Sequence, residues 1–560
     1  MSATRHWDQV YLLFGHGLGF SALLAAAPIF ALVLILGILR KPAWIAGFSG
    51  LAVTFILAIG AYHMPPLAAV SAAANGVAFG IFPVTWIIFW AIALFRVTVD
   101  TGQFEIIKDS IGQLTADTRL QAILIAFAFG GFLESAAGFG APVAIAATML
   151  IGLGFSPFSA AALCLLANTA PVAFGSIAIP ILTLAATTGL PLLKLGAAVG
   201  RLCAPIAFFI PVYLIVAVGG FASLSGVLLP ALVTGATYAL VQLLISAILG
   251  PQLAGMLASL AAIAALIVYL RFWHPAKITP GGVATDARFA SVVTINEPEA
   301  ELAQTKIPNH RPTAVLYAWM PYGILVTCVL FWGLPPVQAA FNKFTILLRW
   351  PFLHDVVLRM PPIAPSPAPY HAIFNFNWLA APGTACMVAT ILSALALRMP
   401  ARIFLTLLAG VVRQLRLPTA TVASVLAIAF LMNYCGATAT LGIAFSGTGA
   451  LFPFFSPLLG WLGVFLTGSD TSANALFGSL QVVTATRLGL DPVLMAAANS
   501  TGGVMGKMIS LQTIAIAAAA TGLPQSGEGK LFRFTIRHSI LLAAIVGCLT
   551  LLYSYVFHFS

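Results

Sequence analysis

Long apolar runs separated by short polar stretches recur along the whole chain. A helix needs roughly 20 mostly apolar residues to cross a bilayer, and uninterrupted runs of about that length lie near 18–39, 43–62, 83–99, 202–220, 224–249, 253–270, 316–333, 379–397, 417–434 and 539–557. The stretches 118–190 and 448–522 are also apolar, but Gly, Pro, Asn, Ser and Thr interrupt them. The pattern predicts about 12–14 membrane crossings together with re-entrant or discontinuous segments.

The composition supports this interpretation and excludes a soluble globular protein. Of the 560 residues, 61% are hydrophobic and only 7% are charged, whereas about 25% of the residues in a typical soluble domain are charged. We therefore predict an all-α polytopic membrane protein whose main partner is the lipid bilayer. The first apolar run has no cleavage pattern behind it, so it is interpreted as a retained helix and not as a signal peptide.

The net charge of +11 does not require a nucleic-acid partner, and none is expected. The basic residues cluster at the ends of predicted spans, where the positive-inside rule places them on the cytoplasmic side: Arg40, Lys41, Arg398, Arg402, Arg413, Arg416, Lys530, Arg533 and Arg537. This assignment puts the N-terminus outside.

Two polar interruptions suggest how the chain is divided. Residues 274–312 carry mixed charge and are predicted to be a cytoplasmic loop that connects two membrane halves, 1–273 and 313–560. A proline-rich stretch within 339–378, RMPPIAPSPAPYHAIF, is placed outside. Neither loop is long enough for a catalytic domain.

Few charged residues fall inside the apolar segments. Glu134 and Asp470 are the two acidic residues there, both in glycine-rich surroundings, and Lys507 is the clearest basic one. A charge in the middle of a membrane costs roughly 2.5–3.5 kcal/mol even on a lenient scale, so it usually has a function. Each carboxyl could bind substrate or a proton, or could be a structural hydrogen-bond partner. Arg201 and Arg96 are weaker candidates, since both can reach an interface.

The chain contains an internal repeat of 60 residues, 132–191 and 465–524. The first unit begins FLESAAGFGAP and ends ATTGLP, and the second begins FLTGSDTSANALFG and ends AATGLP. Between those ends LGFSP matches LGLDP, and LLANTAPVAFGS at 165–176 matches AAANSTGGVMGK at 496–507. Shared ends, a shared turn and a shared Ala-Asn-Thr/Ser indicate duplication.

Duplicated halves with broken helices are a common plan for transporters. The Asn-Thr/Ser positions 168–169 and 499–501 are predicted to mark the breaks, and Glu134 is predicted to lie in an unwound hairpin whose bend uses Gly130, Gly131, Gly138 and Gly140. Unpaired backbone groups at such breaks are tolerated only around a cavity or inside protein. A half-helix N-terminus there suits an anion.

Three stretches resemble the lactate permease family of bacterial carriers: GFLESAAGFGAPVAIAA at 131–147, GSDTSANALFGSLQ at 468–481 and NSTGGVMGKMISLQ at 499–512. The resemblance implies proton-coupled uptake of small 2-hydroxymonocarboxylates, namely L-lactate, D-lactate and glycolate, across the bacterial inner (plasma) membrane. By analogy with the broader ion-transporter superfamily, it also implies inverted-topology repeats and a homodimer.

The same resemblance suggests a set of site residues. For substrate binding these are Ser135, Thr471, Ser472, Asn474, Asn499, Ser500, Thr501 and Lys507, to which the repeat adds Asn168 and Thr169, and for proton coupling they are Glu134 and Asp470. Lys507 is the preferred partner of the substrate carboxylate, because an ammonium group forms strong charge-assisted hydrogen bonds with it. Glu134 is the first choice for the coupling proton, and Asp470 is either a second titrating site or a counter-charge for Lys507.

Other function classes fit less well. A membrane enzyme would need a metal cluster or a nucleophile with its base, and neither has a recognisable spacing, so no metal or cofactor is expected. The six cysteines are interpreted as small core residues. A channel is a further alternative, but a duplicated unit with two isolated carboxyls favours a carrier. The alternative within carriers is sodium-coupled transport of mono- or dicarboxylates, and the single clear buried cation favours a monocarboxylate.

Overall fold

A computed structural model describes residues 6–39, 41–115, 117–138, 141–272 and 310–557. Within these ranges eleven helices are long and apolar enough to cross a membrane, and thirteen spans result if each of two bent helix pairs is counted as one. The predicted all-α polytopic class is confirmed, and the predicted number of crossings overlaps this count. The predicted cytoplasmic loop 274–312 lies almost entirely outside the described residues.

Helices and strands are labelled in chain order over the described residues. The N-terminal half contains α1 Leu18–Ala25, α2 Ala27–Val33, α3 Ala43–Ile56, α4 Pro66–Phe79, α5 Trp86–Asp100, α6 Gln103–Gly112, α7 Thr118–Gln121, α8 Gly130–Ala136, α9 Ala141–Gly152, α10 Pro157–Ala167, α11 Gly175–Thr188, α12 Leu192–Gly219, α13 Leu228–Ile248 and α14 Ala254–Phe272. The C-terminal half contains α15 Pro312–Gly333, α16 Pro335–Asn342, α17 Pro382–Ala396, α18 Ala401–Cys435, α19 Ala437–Phe445, α20 Phe452–Thr467, α21 Asp470–Leu488, α22 Pro492–Lys507, α23 Leu511–Thr521 and α24 Gln525–Tyr555.

Several spans combine two helices through a π-helical stretch. Residues Gly80–Thr85 join α4 to α5, which gives one span of 35 residues, Pro66–Asp100. The apolar pattern predicted only 83–99 here, because α4 is built mainly from Ala, Ser, Asn and Gly. These small residues let α4 approach α18 closely: a side chain on Gly76 would collide with the backbone of α18.

The predicted outer loop contains short strands. They are β2 Ile346–Arg349, β3 Val357–Arg359, β4 Ala368–Pro369 and β5 Ile373–Phe376, and β1 Trp7–Asp8 joins them from the N-terminus. Strand β2 pairs antiparallel with β5, while β3 pairs parallel with β1 and antiparallel with β4. The N-terminal segment and the outer loop therefore form one small structure at the same end of the molecule.

The two repeat segments contain their helices in the same order. The first runs through α8, α9, α10 and α11, and the second begins in the last turn of α20 and runs through α21, α22 and α23. The matched Leu-Gly-x-x-Pro turns are also alike, since Gly154 and Gly489 have positive φ and the side chains of Ser156 and Asp491 cap the next helix.

The predicted helix break at 168–169 is confirmed, whereas the one at 499–501 is wrong. Helix α10 ends just before Asn168, and the chain bends by 69° between α10 and the helical segment that begins at Val172 and includes α11. Helix α22 instead continues through 499–501 to Lys507. The aligned positions differ just beyond: Pro171 has no N–H and disfavours helix at the residue before it, while the repeat has Gly502. The second break therefore follows Lys507, at 508–510.

The hairpin around Glu134 is also more helical than predicted. Gly130 and Gly131 lie inside α8, as does Glu134 itself. The helix ends at Ala136, and Gly138 has φ +61°, a left-handed conformation that glycine adopts without strain. Gly140 lies outside the described residues.

The repeats contact each other reciprocally. Helix α11 of the first repeat packs on α21 of the second, and the equivalent pair, α23 and α9, is also in contact. The helices that follow the repeats behave in the same way, because α12 packs on α22 and α24 on α10. Exchanged contacts of this kind are what a two-fold relation between the units produces, which is consistent with the inverted repeats implied by the resemblance.

Candidate functional site

A cavity of about 990 Å³ lies between the repeat helices and the pair α3 and α18. Its deep wall carries the polar side chains Glu134, Ser176, Asp470, Thr471, Ser472 and Lys507. At the other end the cavity is lined by Lys41 and Trp44, by Thr421 of α18 and by Glu528 of α24. Three of the charges isolated in the sequence therefore meet in one place.

Lys507 and Glu134 form a buried ion pair in this wall. The Lys507 Nζ donates to Glu134 Oε1 at 2.8 Å, and the two side chains are 11% and 2% exposed. Lys507 is the last residue of α22, where the helix dipole favours a cation. Glu134 Oε2 has no hydrogen-bond partner among the described residues. The pair joins the two repeats across 373 residues of sequence.

Asp470 occupies the N-terminus of α21, the helix end that favours a carboxylate. Its Oδ2 accepts hydrogen bonds from Ser500 Oγ at 2.8 Å and from Asn474 Nδ2 at 3.4 Å. Its Oδ1, like Glu134 Oε2, has no partner within the described part of the chain. Gly503 of α22 lies against Oδ1, and any side chain there would collide with it.

A chain of hydrogen bonds runs from Asp470 into the core between α20, α21 and α22. Asn474 donates to Ser500 Oγ at 3.0 Å and accepts from Asn499 Nδ2 at 2.9 Å. Gln481 Nε2 donates to Asn499 Oδ1 at 3.1 Å, and Ser456 Oγ donates to Gln481 Oε1 at 2.8 Å. Satisfied buried networks rigidify a core, so the network fixes the position of the Asp470 carboxyl.

Two helix N-termini line the same cavity. Helix α21 starts after the capping residue Ser469, and α23 starts after the capping residue Ser510. Residues 469–472 and 511–516 of these two starts belong to the cavity lining. Backbone N–H groups at a helix start and the helix dipole both favour an anion.

The first repeat contributes a strained segment to the wall. Ser176, Ile177 and Ala178 have φ of 46°, 60° and 60°, and left-handed backbone costs a residue with a side chain roughly 1–2 kcal/mol. Ser176 Oγ donates to the Ala137 carbonyl at 3.0 Å. This hydrogen bond connects the break after α8 with the break between α10 and α11. Strain of this kind is concentrated at binding sites and switch regions.

The structure divides the predicted site residues into two groups. Glu134, Asp470, Thr471, Ser472 and Lys507 line the cavity. The others are buried behind the wall or beside it: Ser135, Asn168, Thr169, Asn474, Asn499, Ser500 and Thr501. Among these, Asn474, Asn499 and Ser500 belong to the Asp470 network.

The remaining four are Ser135, Asn168, Thr169 and Thr501, and they do not belong to this network. Ser135 donates to the Gly131 carbonyl within α8, and Thr169 donates to the Leu166 carbonyl in the last turn of α10. Thr501 accepts from the Cys203 thiol at 3.7 Å. The Asn168 amide nitrogen has no hydrogen-bond partner among the described residues.

Arg96 and Arg201, the weaker candidates for a basic residue at membrane depth, are exposed and do not line the cavity. Sequence reasoning missed Ser176, although the repeat alignment places it opposite Lys507. It also missed the mouth of the cavity, because the contributing segments belong to helices far apart in the chain.

Comparison with known proteins identifies the family of the chain. The family model described as L-lactate permease matches residues 21–557. The chain belongs to the L-lactate permease family. An L-lactate permease of Bacillus subtilis is 42% identical, covering 98% of this chain and 99% of its own length. A glycolate permease of Escherichia coli K12 is also 42% identical, and an L-lactate permease of the same strain is 40% identical; each match covers 98% of both chains.

Membership of the L-lactate permease family agrees with the apolar helices and their breaks. The protein is a multi-pass protein of the bacterial inner membrane, and the relatives compared above are named as permeases. The cavity between the repeats is thus the candidate transport site.

Proposed function

We propose that the protein is a secondary active transporter that takes up L-lactate, D-lactate and glycolate together with protons. The relatives named as lactate and glycolate permeases support the substrate class. The observation that carries the mechanism is the ion pair between Lys507 and Glu134 in the wall of the cavity.

The charges of the cavity explain why a proton should accompany the substrate. The deep wall contains two carboxyls, Glu134 and Asp470, and one ammonium, Lys507. An incoming monocarboxylate would add a further negative charge to a site with a single cation. Uncompensated buried charge is costly, and uptake of a proton by one of the wall carboxyls removes that cost.

Competition for Lys507 couples the two events. The substrate carboxylate displaces Glu134 from the lysine, and Glu134, left buried without its cation, takes up the coupling proton, because an uncompensated buried charge is costly. When the substrate leaves, the lysine again attracts the ionised carboxylate and the proton is released. In this scheme substrate and proton enter and leave together.

The 2-hydroxyl group of the substrate has suitable partners beside Lys507. Thr471 and Ser472 line the wall at the start of α21, and their hydroxyls have no hydrogen-bond partner among the described residues. A hydroxyl can both donate and accept a hydrogen bond. This arrangement favours 2-hydroxymonocarboxylates over simple fatty acids of equal length.

The position of the cavity mouth indicates which side of the membrane it faces. Lys41 and Glu528 line the mouth, and both lie near span ends whose basic residues predict the cytoplasmic side. The described conformation is therefore assigned as inward-facing. The homodimer implied by the resemblance stays a prediction.

Transport by purified protein in liposomes tests the proposal. Radiolabelled L-lactate and glycolate should accumulate when the lumen is alkaline relative to the bath, and a protonophore should abolish this accumulation. A sodium gradient at equal pH should have no effect. Uptake that depends on sodium and ignores the pH gradient would instead establish the sodium-coupled alternative.

A further inference from the structure

A cluster of side chains on the outer loop is not used by the transport site. His354, Asp355 and His371 present one ligand atom each within 4.8 Å of one another. They lie on two separate segments, the turn between β2 and β3 and the chain just before β5. We propose that these three side chains bind a divalent transition-metal ion, with Zn²⁺ the best fit.

The distances suit a shared ion. His354 Nε2 lies 3.2 Å from Asp355 Oδ2, and His371 Nδ1 lies 2.5 Å from Asp355 Oδ1. Zinc binds nitrogen at roughly 2.0–2.1 Å and carboxylate oxygen at roughly 2.0–2.2 Å in tetrahedral sites, so neighbouring ligand atoms are about 3.3 Å apart. His371, which is 66% exposed, can make the small movement that this geometry needs.

The backbone orients His354 as a metal ligand. Its Nδ1 is 3.1 Å from the carbonyl oxygen of Ala372. The Ala372 N–H also lies 3.2 Å from this Nδ1, so the Ala372 backbone holds the ring in place in either tautomer. In the tautomer that binds a metal, Nδ1 carries the proton and donates it to the carbonyl, and the lone pair of Nε2 is available to the ion. Zinc-bound histidines typically make this second hydrogen bond, which fixes the tautomer and the ring.

The donor set selects the class of metal. Two imidazoles and one carboxylate favour Zn²⁺ and related transition metals, whereas Ca²⁺ and Mg²⁺ prefer oxygen donors. Three protein ligands leave a fourth position for water. The spacing gave no hint of this site, because His371 follows Asp355 by 16 residues and the turn and strand between them bring the two together.

An ion here would fasten the outer structure to a long membrane helix. The backbone carbonyl of His371 accepts a hydrogen bond from Tyr434 Oη of α18 at 3.3 Å. His6 Nδ1, from the N-terminal segment, lies 3.1 Å from the Asp355 carbonyl oxygen. The proposed ion therefore lies where the N-terminus, the outer loop and the end of α18 meet.

Calorimetric titration of the full-length protein with Zn²⁺ tests the proposal. The protein should carry a purification tag without histidines and be treated with a chelator beforehand. Wild type should bind one Zn²⁺ per chain, and Zn²⁺ should raise the temperature of thermal unfolding. His371→Ala and His354→Ala should each weaken binding at least tenfold, while His16→Ala, at another exposed histidine, should bind as wild type does.

The contrary results are equally clear. No Zn²⁺ binding by wild type, or equal affinity in wild type and His371→Ala, would show that the cluster is only a hydrogen-bonded imidazole–carboxylate group. His371→Ala decides even if His354→Ala fails to fold, because His371 is exposed. The test does not depend on the transport proposal, since lactate uptake is not its readout.

Discussion

The sharpest test of the coupling mechanism is Glu134→Gln. Glutamine has nearly the size of glutamate, and its amide oxygen can still accept the hydrogen bond from Lys507 Nζ. It cannot alternate between a charged and a neutral state. We expect lactate binding and lactate–lactate exchange to survive, and net accumulation driven by a pH gradient to disappear.

The magnitudes follow from the geometry. At 2.8 Å and an effective dielectric constant of roughly 20, the attraction between the two charges is about 6 kcal/mol before desolvation. In Glu134→Gln this attraction is lost, and the substrate no longer competes with a charged side chain for Lys507. Lactate affinity should therefore stay the same or rise. With one proton per lactate, each pH unit is worth about 1.4 kcal/mol and gives roughly tenfold accumulation. The variant should show none.

Exchange and accumulation should be measured in the same proteoliposome preparation. Counterflow of labelled lactate reports exchange, and uptake with an alkaline lumen reports coupling. Gly323→Ala is a matched control, because Gly323 lies in α15 with open space around it. Full accumulation by Glu134→Gln would refute the coupling role and transfer it to Asp470.

Further expected outcomes follow from the same structure. Lys507→Ala should weaken lactate binding by about 10- to 100-fold, which corresponds to the loss of one charge-assisted hydrogen bond. Lys507→Arg should also bind lactate weakly, because the planar guanidinium differs in shape from an ammonium. Unchanged lactate affinity of these variants in equilibrium binding would contradict the role of Lys507. Gly502→Ala should lower thermal stability, since the new methyl group collides with a backbone carbonyl of α20, whereas Gly323→Ala should be neutral or stabilising. In a cysteine-depleted background, Gln512→Cys should react with a membrane-impermeant thiol reagent from the cytoplasmic side, and lactate should slow that reaction; labelling only from outside would reverse the assigned orientation.

The charged residues of the site could be predicted from the sequence because isolated charges in apolar segments are costly. Glu134, Asp470 and Lys507 stand out by this criterion alone, and the structure brings all three to one cavity. Their pairing could not be predicted. The sequence left Asp470 as either a second titrating site or the counter-charge of Lys507, but the direct partner of Lys507 is Glu134, since only the packing of one repeat on the other determines which carboxyl reaches the ammonium.

Helix breaks were predictable only where proline enforces them. The Asn-Thr pair before Pro171 ends a helix, whereas the matching Asn-Ser-Thr before Gly502 lies within one. Polar residues alone do not break a helix, because their side chains can hydrogen-bond to neighbouring helices, as Asn499 does. The short strands of the outer loop were missed for a different reason: they are two to four residues long, too short for a periodic pattern.

The reciprocal packing of the repeats has a mechanical consequence. Helix α11 packs on α21, and α23 packs on α9. Each repeat therefore contacts the other at two equivalent places. A movement at the helix breaks of one repeat should displace the other repeat as well. We therefore expect the two repeats to move together as one body, held by this packing and not by the bond between Lys507 and Glu134, which opens when the substrate binds. The movement that exposes the cavity to the other side of the membrane is then expected at the boundary between the repeats and the helices α3 and α18, which border the cavity.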